Sequence, residues 1–355
     1  MTKTILQLYT LIIKIFELQI SKNNPYKENH YIVKKGTITM NQITSKIAGT
    51  GSALPKTILT NKELETLVDT SDAWIQERTG IKERRIAKNQ ENTSDLAIAA
   101  AQKALKNANL SANDIDFIIV ATFTPDSIMP NTACLVQAAL HADHAVCFDL
   151  NAACSGFLFA LQTAHAYICS GLARHILIIG SENISKTLNW NDRKTCILFG
   201  DGAGAVVLSI SDSSKHALLD FETGSDGTRS NVLTLSGFQK SFLQMDGQEV
   251  FKFAVRKVPE IILTLTQRNH LCPEEIDWYF LHQANARILT SVAKRLSLPL
   301  DKFPSNLSSY GNTSAASIPI LLDEYHNSHK LLPGQKIILS GFGGGLTWGS
   351  CLISW

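Results

Sequence analysis

The chain has 355 residues, of which 45% are hydrophobic and 18% charged, with a formal net charge of +2. That length allows one large or two smaller domains around a substantial core, and the composition is that of an ordinary globular protein. The near-neutral balance argues against a nucleic-acid binder. Residues 1–39 stand apart, with six Lys and two Glu. Their apolar run Ile5 to Ile20 is interrupted by Lys14 and Glu17 and is shorter than the ~20 residues of a membrane span. Ile5, Leu8, Ile12 and Phe16 fit one helical face. This segment reads as an extension or a mis-called start, with an amphipathic tether as the alternative.

From Ile43 onward strand and helix signals alternate, which predicts an α/β fold. A strand is expected at Ile43–Ile47 and an Ala-rich helix at Asp95–Asn109, capped by Thr93 or Ser94. Ser111 and Asp114 mark a turn. Phe117–Ala121 is a continuous apolar run, the kind buried on both faces of a sheet. Strands at Ala145–Leu150 and His175–Gly180 bracket a helix through Phe157, Leu158, Leu161 and Tyr167. In the second half a helix at Phe251–Thr266 precedes a strand at Ile276–Leu281. A helix at Arg287–Leu296 and a strand at Ile337–Ser340 follow. Open α/β sheets place their sites in loops beyond strand ends, and several polar phrases stand there.

Seven cysteines (134, 147, 154, 169, 196, 272 and 351) include no C-x-x-C pair, so neither a zinc ribbon nor a redox dithiol is indicated. The pattern fits a reducing cytoplasm. Six of them read as small buried hydrophobes. Cys154 differs, because Asn151-Ala152-Ala153-Cys154-Ser155-Gly156-Phe157 places it between a strand and a helix start. A helix N-terminus is expected to lower the thiol pKa and to aim the Cys154 N–H at an oxyanion beside the sulfur. His282-Gln283-Ala284-Asn285 follows another strand. Asn312 lies in Tyr310-Gly311-Asn312-Thr313-Ser314-Ala315-Ala316-Ser317. A glycine phrase, Gly341-Phe342-Gly343-Gly344-Gly345-Leu346-Thr347-Trp348-Gly349, comes last. Phe199-Gly200-Asp201-Gly202-Ala203-Gly204-Ala205 looks like a nucleotide loop but lacks the G-x-G-x-x-G spacing and precedes a strand, so a dinucleotide site is rejected.

Together these phrases resemble β-ketoacyl-acyl carrier protein synthase III, over about Met40 to Trp355. The resemblance implies the thiolase-like duplicated α/β/α/β/α layered fold, with halves at 40–212 and 213–355 behind the 1–39 extension. It implies decarboxylative Claisen condensation of an acyl-CoA primer with malonyl-acyl carrier protein, giving the 3-oxoacyl carrier, CoA and CO2. Cys154 would take the acyl group, and His282 and Asn312 would stabilise the enolate. Gly344 would complete the oxyanion hole with Cys154. An Asn in the third position separates this pattern from the His of elongating synthases and the second Cys of thiolases.

The stretch Ser71 to Ile81 matches the family's coenzyme A mouth. Trp74 and Arg193 are expected to sandwich adenine, while Arg78 and Arg287 meet phosphates. Gln248, at a position that contacts the pantetheine arm in the family, and Phe251 are also expected to bind CoA. A hydrophobic plug with solvated arginines is the alternative. Gln248 stands where Asn is frequent, and Lys194 follows Arg193 where Gly is common. Met129 matches the residue that lines the partner's acyl pocket in a homodimer. Arg287, Lys294 and Arg295 suit an acidic carrier protein. No metal or redox cofactor is implied, no nucleic acid and no stable membrane insertion, and the expected location is cytoplasmic. Two rivals stand beside this reading: a specialised-metabolism relative with another primer or acceptor, and a non-condensing acyl-CoA-binding protein.

Overall fold

Two apolar runs set the architecture. Phe117–Ala121 (β2) is flanked by parallel strands on both sides and is buried from Ile118 onward. His175–Glu182 (β4) is likewise buried after its first residue. Strands covered on both faces have no polar side to offer, which is why their sequences do not alternate. The computed structural model describes residues 43–88, 90–213, 215–236 and 241–355, together with the strands Val33–Lys34 and Thr37–Ile38. The helical face expected around Ile5 to Phe16 lies outside the described residues. The chain divides into two compact units, Met1–Gln42 and Ile43–Trp355. In the first, the two short strands pair antiparallel with Val33 opposite Ile38.

In the second unit the first sheet has five strands. Thr44–Ala53 (β1), β2, Val146–Leu150 (β3), β4 and Gly202–Ser211 (β5) take the order β1-β5-β4-β2-β3. The second sheet has the order β6-β9-β8-β7, from Ala217–Ser225 (β6), Trp278–Leu281 (β7), Lys336–Gly343 (β8) and Thr347–Ser354 (β9). In each sheet an antiparallel strand joins a parallel set, β2 with β3 and β4 in one and β7 with β8 in the other.

Helices fill the three remaining layers. Gly156–Cys169 (α4) and Ser317–Asn327 (α7) lie between the sheets, where Phe157, Leu161 and Leu321 share one core with Ile178 and Leu339. Thr93–Ala108 (α2) and Thr132–Leu140 (α3) cover the outer face of the first sheet. Gly247–Arg268 (α5) and Ala286–Arg295 (α6) cover that of the second. Asp72–Thr79 (α1) stands near the edge, capped by Ser71. The result is the α/β/α/β/α layering of the thiolase fold.

Several boundaries differ from expectation for local reasons. Strand β1 does not end at Ile47 but runs to Ala53 through two glycines. A Cβ at Gly49 or Gly51 would stand 2.4 or 2.3 Å from the carbonyls of Ala104 or Ala100, so these glycines let α2 lie against the strand. Helix α2 is capped by Asn92, one residue earlier than Thr93, and the Asn92 N–H donates to Asp95 at 2.8 Å. Thr93 and Ser94 are engaged elsewhere, with the Thr124 carbonyl and Asp126. Strand β5 begins at Gly202, inside the glycine phrase that was expected to precede it. Cys169 and Cys272 are exposed and Cys134 and Cys147 half-buried, so only Cys196 and Cys351 of the six fit the buried-hydrophobe expectation.

Candidate active site

Strand β3 delivers the chain to Asn151, and a single 3-10 turn, Ala153–Ser155, carries Cys154 into α4. Ala153 has φ +47°, a left-handed conformation that a non-glycine residue holds only when its surroundings fix it. The surroundings do so here. Ser155 Oγ lies 2.8 Å from both the Ala152 carbonyl and Thr347 Oγ1. A Cβ on Gly343 would stand 2.6 Å from the Cys154 nitrogen, so only glycine lets β8 come this close.

His282 continues the parallel pairing of β7 with β8, its N–H donating to the Ser340 carbonyl at 2.8 Å. Its Nδ1 sits 2.7 Å from Ser317 Oγ at the start of α7, and Phe342 meets the ring edge-on at 5.5 Å. Asn312 bridges to Phe199, with its N–H on the Leu198 carbonyl and its carbonyl accepting from Gly200. Its Oδ1 accepts from the Ser314 N–H at 2.8 Å. Among the described residues its Nδ2 makes no hydrogen bond, which leaves an amide donor for the cavity.

Cys154, His282 and Asn312 line one cavity of about 800 Å³. Trp74, Arg78, Arg193, Gln248 and Phe251 line it too, so the expected mouth and the expected triad share a single space. Arg78 and Arg193 hold their guanidinium carbons 4.7 and 5.0 Å from the Trp74 ring centre. Asn285, which caps α6, donates to the Arg78 carbonyl at 3.0 Å and ties α1 to α6. Arg287 is not on the cavity wall but lies beside it, 5.6 Å from the Phe251 ring. Gly344 is not on this wall either. It lines a second cavity of about 940 Å³ that also reaches Cys154, with Phe123, Ile128, Leu233 and Leu243. Met129 lines neither and is 88% exposed, while Lys294 and Arg295 are exposed at the end of α6.

The comparison with known proteins follows this geometry. A family model described as 3-oxoacyl-[acyl-carrier-protein] synthase III matches residues 148–227, and its C-terminal counterpart matches 266–355. The β-ketoacyl-[acyl-carrier-protein] synthase III of Clostridium botulinum is 48% identical over 322 residues, covering 87% of this chain and 98% of the relative. That of Nostoc sp. is 48% identical over 331 residues, covering 89% and 99%. The chain belongs to the β-ketoacyl-acyl carrier protein synthase III family. The crystal structure of the 3-oxoacyl-[acyl-carrier-protein] synthase III from Aquifex aeolicus superposes with a TM-score of 0.85 at 47% identity, over 88% of this chain and all of that one.

Electrostatics in the cavity depart from one expectation. The Cys154 thiol is not lowered; burial pushes it up to about 12, with the nearby Glu182 carboxylate adding to the rise. A helix N-terminus contributes at most ~2 kcal/mol even in partly buried geometries, about 1.5 pKa units, which is less than the rise burial causes here. The same burial pushes His282 down to about 3, so the imidazole is neutral near pH 7. Two residues were missed in the sequence. Glu182, at the end of β4, is wholly buried, and Ser314 joins it to the Asn312 phrase. The available signal was a carboxylate closing an otherwise apolar, doubly covered strand.

Proposed function

We propose that the protein initiates fatty-acid chains by condensing an acyl-CoA primer with malonyl-acyl carrier protein, through an acyl-Cys154 intermediate. The observation that carries this reading is the single cavity joining Cys154, His282 and Asn312 to a mouth of Trp74 and two arginines. Cys154 attacks the primer thioester and CoA leaves. The backbone N–H groups of Cys154 and Gly344 accommodate the oxyanion. Malonyl carrier then enters and loses CO2. The enolate forms beside His282 and the Asn312 amide, two neutral donors that stabilise charge without protonating the carbanion. Ser317 Oγ lies 2.7 Å from Nδ1, and a hydroxyl donating there would leave the imidazole proton on Nε2 for this task. The carbanion attacks the acyl-Cys154 carbonyl and releases the 3-oxoacyl carrier.

Trp74, Arg78, Arg193, Gln248, Phe251 and Arg287 bind CoA in this reading, and Arg287, Lys294 and Arg295 receive the carrier. Met129, projecting from the surface, lines the acyl pocket of a second copy in a homodimer. The two halves, 40–212 and 213–355, supply the nucleophile and the two donors respectively, and no cofactor beyond the CoA thioester is required. No helix among the described residues is long and apolar enough to cross a membrane. We place the enzyme in the cytoplasm.

The test is the intact mass of the purified protein after exposure to a panel of acyl-CoAs, with Cys154→Ala alongside. Gain of one acyl group, absent in the variant, together with turnover of malonyl carrier, supports the reading. No adduct with any primer overturns Cys154 as the acceptor from CoA.

A further inference from the structure

The oxyanion site of the proposed reaction has two arms, the N–H groups of Cys154 and Gly344, and they come from opposite halves of the chain. Cys154 rides on the 3-10 turn beyond β3, and Gly344 opens the 344–346 loop between β8 and β9. Both residues line the second cavity. Among the described residues neither N–H donates to another group, so both remain available to a ligand. Two donors stabilise a developing oxyanion only when their separation is set before the charge forms.

The far side of the 344–346 loop is fastened by main chain. Leu346 and Asp226 exchange N–H···O bonds of 2.7 and 2.8 Å. The Gly344 side is held differently: its carbonyl oxygen lies 3.1 Å from Thr347 Oγ1, a side-chain donor. The same hydroxyl lies 2.8 Å from Ser155 Oγ and 3.1 Å from the Ala152 carbonyl oxygen, both on the nucleophile's turn. Ser155 in turn reaches that Ala152 oxygen with its N–H at 3.2 Å and its Oγ at 2.8 Å.

One arrangement of protons gives every acceptor a donor. The Ser155 N–H donates to Ala152, the Ser155 hydroxyl to Thr347 Oγ1, and the Thr347 hydroxyl to Gly344. These bonds run without a break from the residue after Cys154 to the residue that carries the other arm. Gly343 already lets the two segments touch, but contact alone does not fix direction, and hydrogen bonds do. Ala153, at φ +47° beside Cys154, is a conformation that needs such a hold.

We propose that Thr347 is a positioning residue for the reaction: its hydroxyl, coupled to Ser155 Oγ, sets the Gly344 arm of the oxyanion site against the Cys154 arm. Thr347 acts through Gly344 and the nucleophile's turn. Its contribution falls on the steps that pass through an oxyanion, which are acylation of Cys154 and attack on the acyl-Cys154 carbonyl. The thiol's own reactivity does not depend on it.

This inference rests on the proposed acyl-Cys154 reaction, and its experiment separates the two. Single-turnover acylation by acyl-CoA and alkylation by iodoacetamide, which forms no oxyanion, are both followed by intact mass. Thr347→Val keeps the methyl and removes the hydroxyl. It is expected to lower the saturating acylation rate about 10-fold or more, with the half-saturating acyl-CoA concentration within about 2-fold of wild type. Thr347→Ser returns the hydroxyl and should recover most of the loss. Ser155→Ala should lower the rate by about 3-fold or more, since Gly344 then keeps its donor but loses part of the tie to the turn. Alkylation is expected to stay within about 2-fold of wild type in all three. Thermal unfolding establishes which variants are folded. Acylation at the wild-type rate in Thr347→Val, or acylation and alkylation slowed together, overturns the proposal. Should Thr347→Val not fold, Ser155→Ala decides by the same two outcomes. A wild type that alkylates but takes no acyl group from any acyl-CoA overturns instead the reading of Cys154.

Discussion

At the floor of the cavity Cys154, His282 and Asn312 are 7%, 2% and 6% exposed, while Arg78, Arg193 and Gln248 at the mouth are open to solvent. The floor is fixed by main-chain bonds from β7, β8 and the Leu198–Gly200 segment. The mouth is held by side chains: an indole, two guanidinia and the exposed pair of Arg193 with Asp69 at 3.6 Å. A floor built this way tolerates almost no change of shape. A mouth of long charged side chains adapts, and exposed ion pairs of this kind contribute little, about 0–1 kcal/mol. The difference suits the proposed division, with chemistry in the rigid region and recognition in the adaptable one.

The harshest break of the floor is Cys154→Ala, expected to reduce turnover by at least ~1000-fold through loss of the covalent intermediate. Condensation assays with malonyl carrier check it. His282→Ala should lower the condensation rate by about 100-fold, the scale of a lost oxyanion donor, and leave acylation of Cys154 nearer normal. Single-turnover acylation and full turnover, measured separately, distinguish the two halves. The same residue predicts a pH effect on stability. Its folded pKa, about 3, lies below the unfolded value of about 6.5, so the unfolded chain binds the extra proton in between. Stability is therefore unaffected by His282 above about pH 6.5 and falls as pH drops toward 3. Chemical denaturation should show a shallower acid loss in His282→Ala than in the wild type.

At the mouth the expected effects are smaller. Trp74→Ala removes a stacking face of ~1–3 kcal/mol and should raise KM for acyl-CoA by about 5- to 150-fold with kcat little changed. A kcat loss of equal size would move Trp74 to the floor. The mildest change is Lys294→Ala with Arg295→Ala, expected to raise KM for the malonyl carrier a few-fold at low salt and hardly at all at high salt.

Much of the floor could be read from the chain because its residues come in short runs at strand ends, where β3 and β7 present Cys154 and His282. The parallel strand Phe117–Ala121 was legible to the residue, since double burial leaves an unbroken apolar run. What sequence could not give depends on partners distant in the chain. The true extent of β1 follows from α2 lying on Gly49 and Gly51, and the Asn92 cap from the tertiary engagement of Thr93 and Ser94. Glu182 carries no motif, and its hydrogen-bond partner Ser314 stands 132 positions away. The thiol's raised pKa follows from burial that a local strand–turn–helix signal does not report. Exposure of Cys169 and Cys272 was likewise invisible.

If the proposed function holds, both thioester arms would use the cavity lined by Trp74 and Arg193, one of two that reach the sulfur. The second cavity, which also reaches Cys154, would then be left for the primer's acyl chain. Traffic would then be one-way at any moment: spent CoA would have to clear the corridor before the next arm reached the loaded sulfur. Free CoA would then compete with incoming carrier for the vacant lane, which inhibition of turnover by added CoA checks.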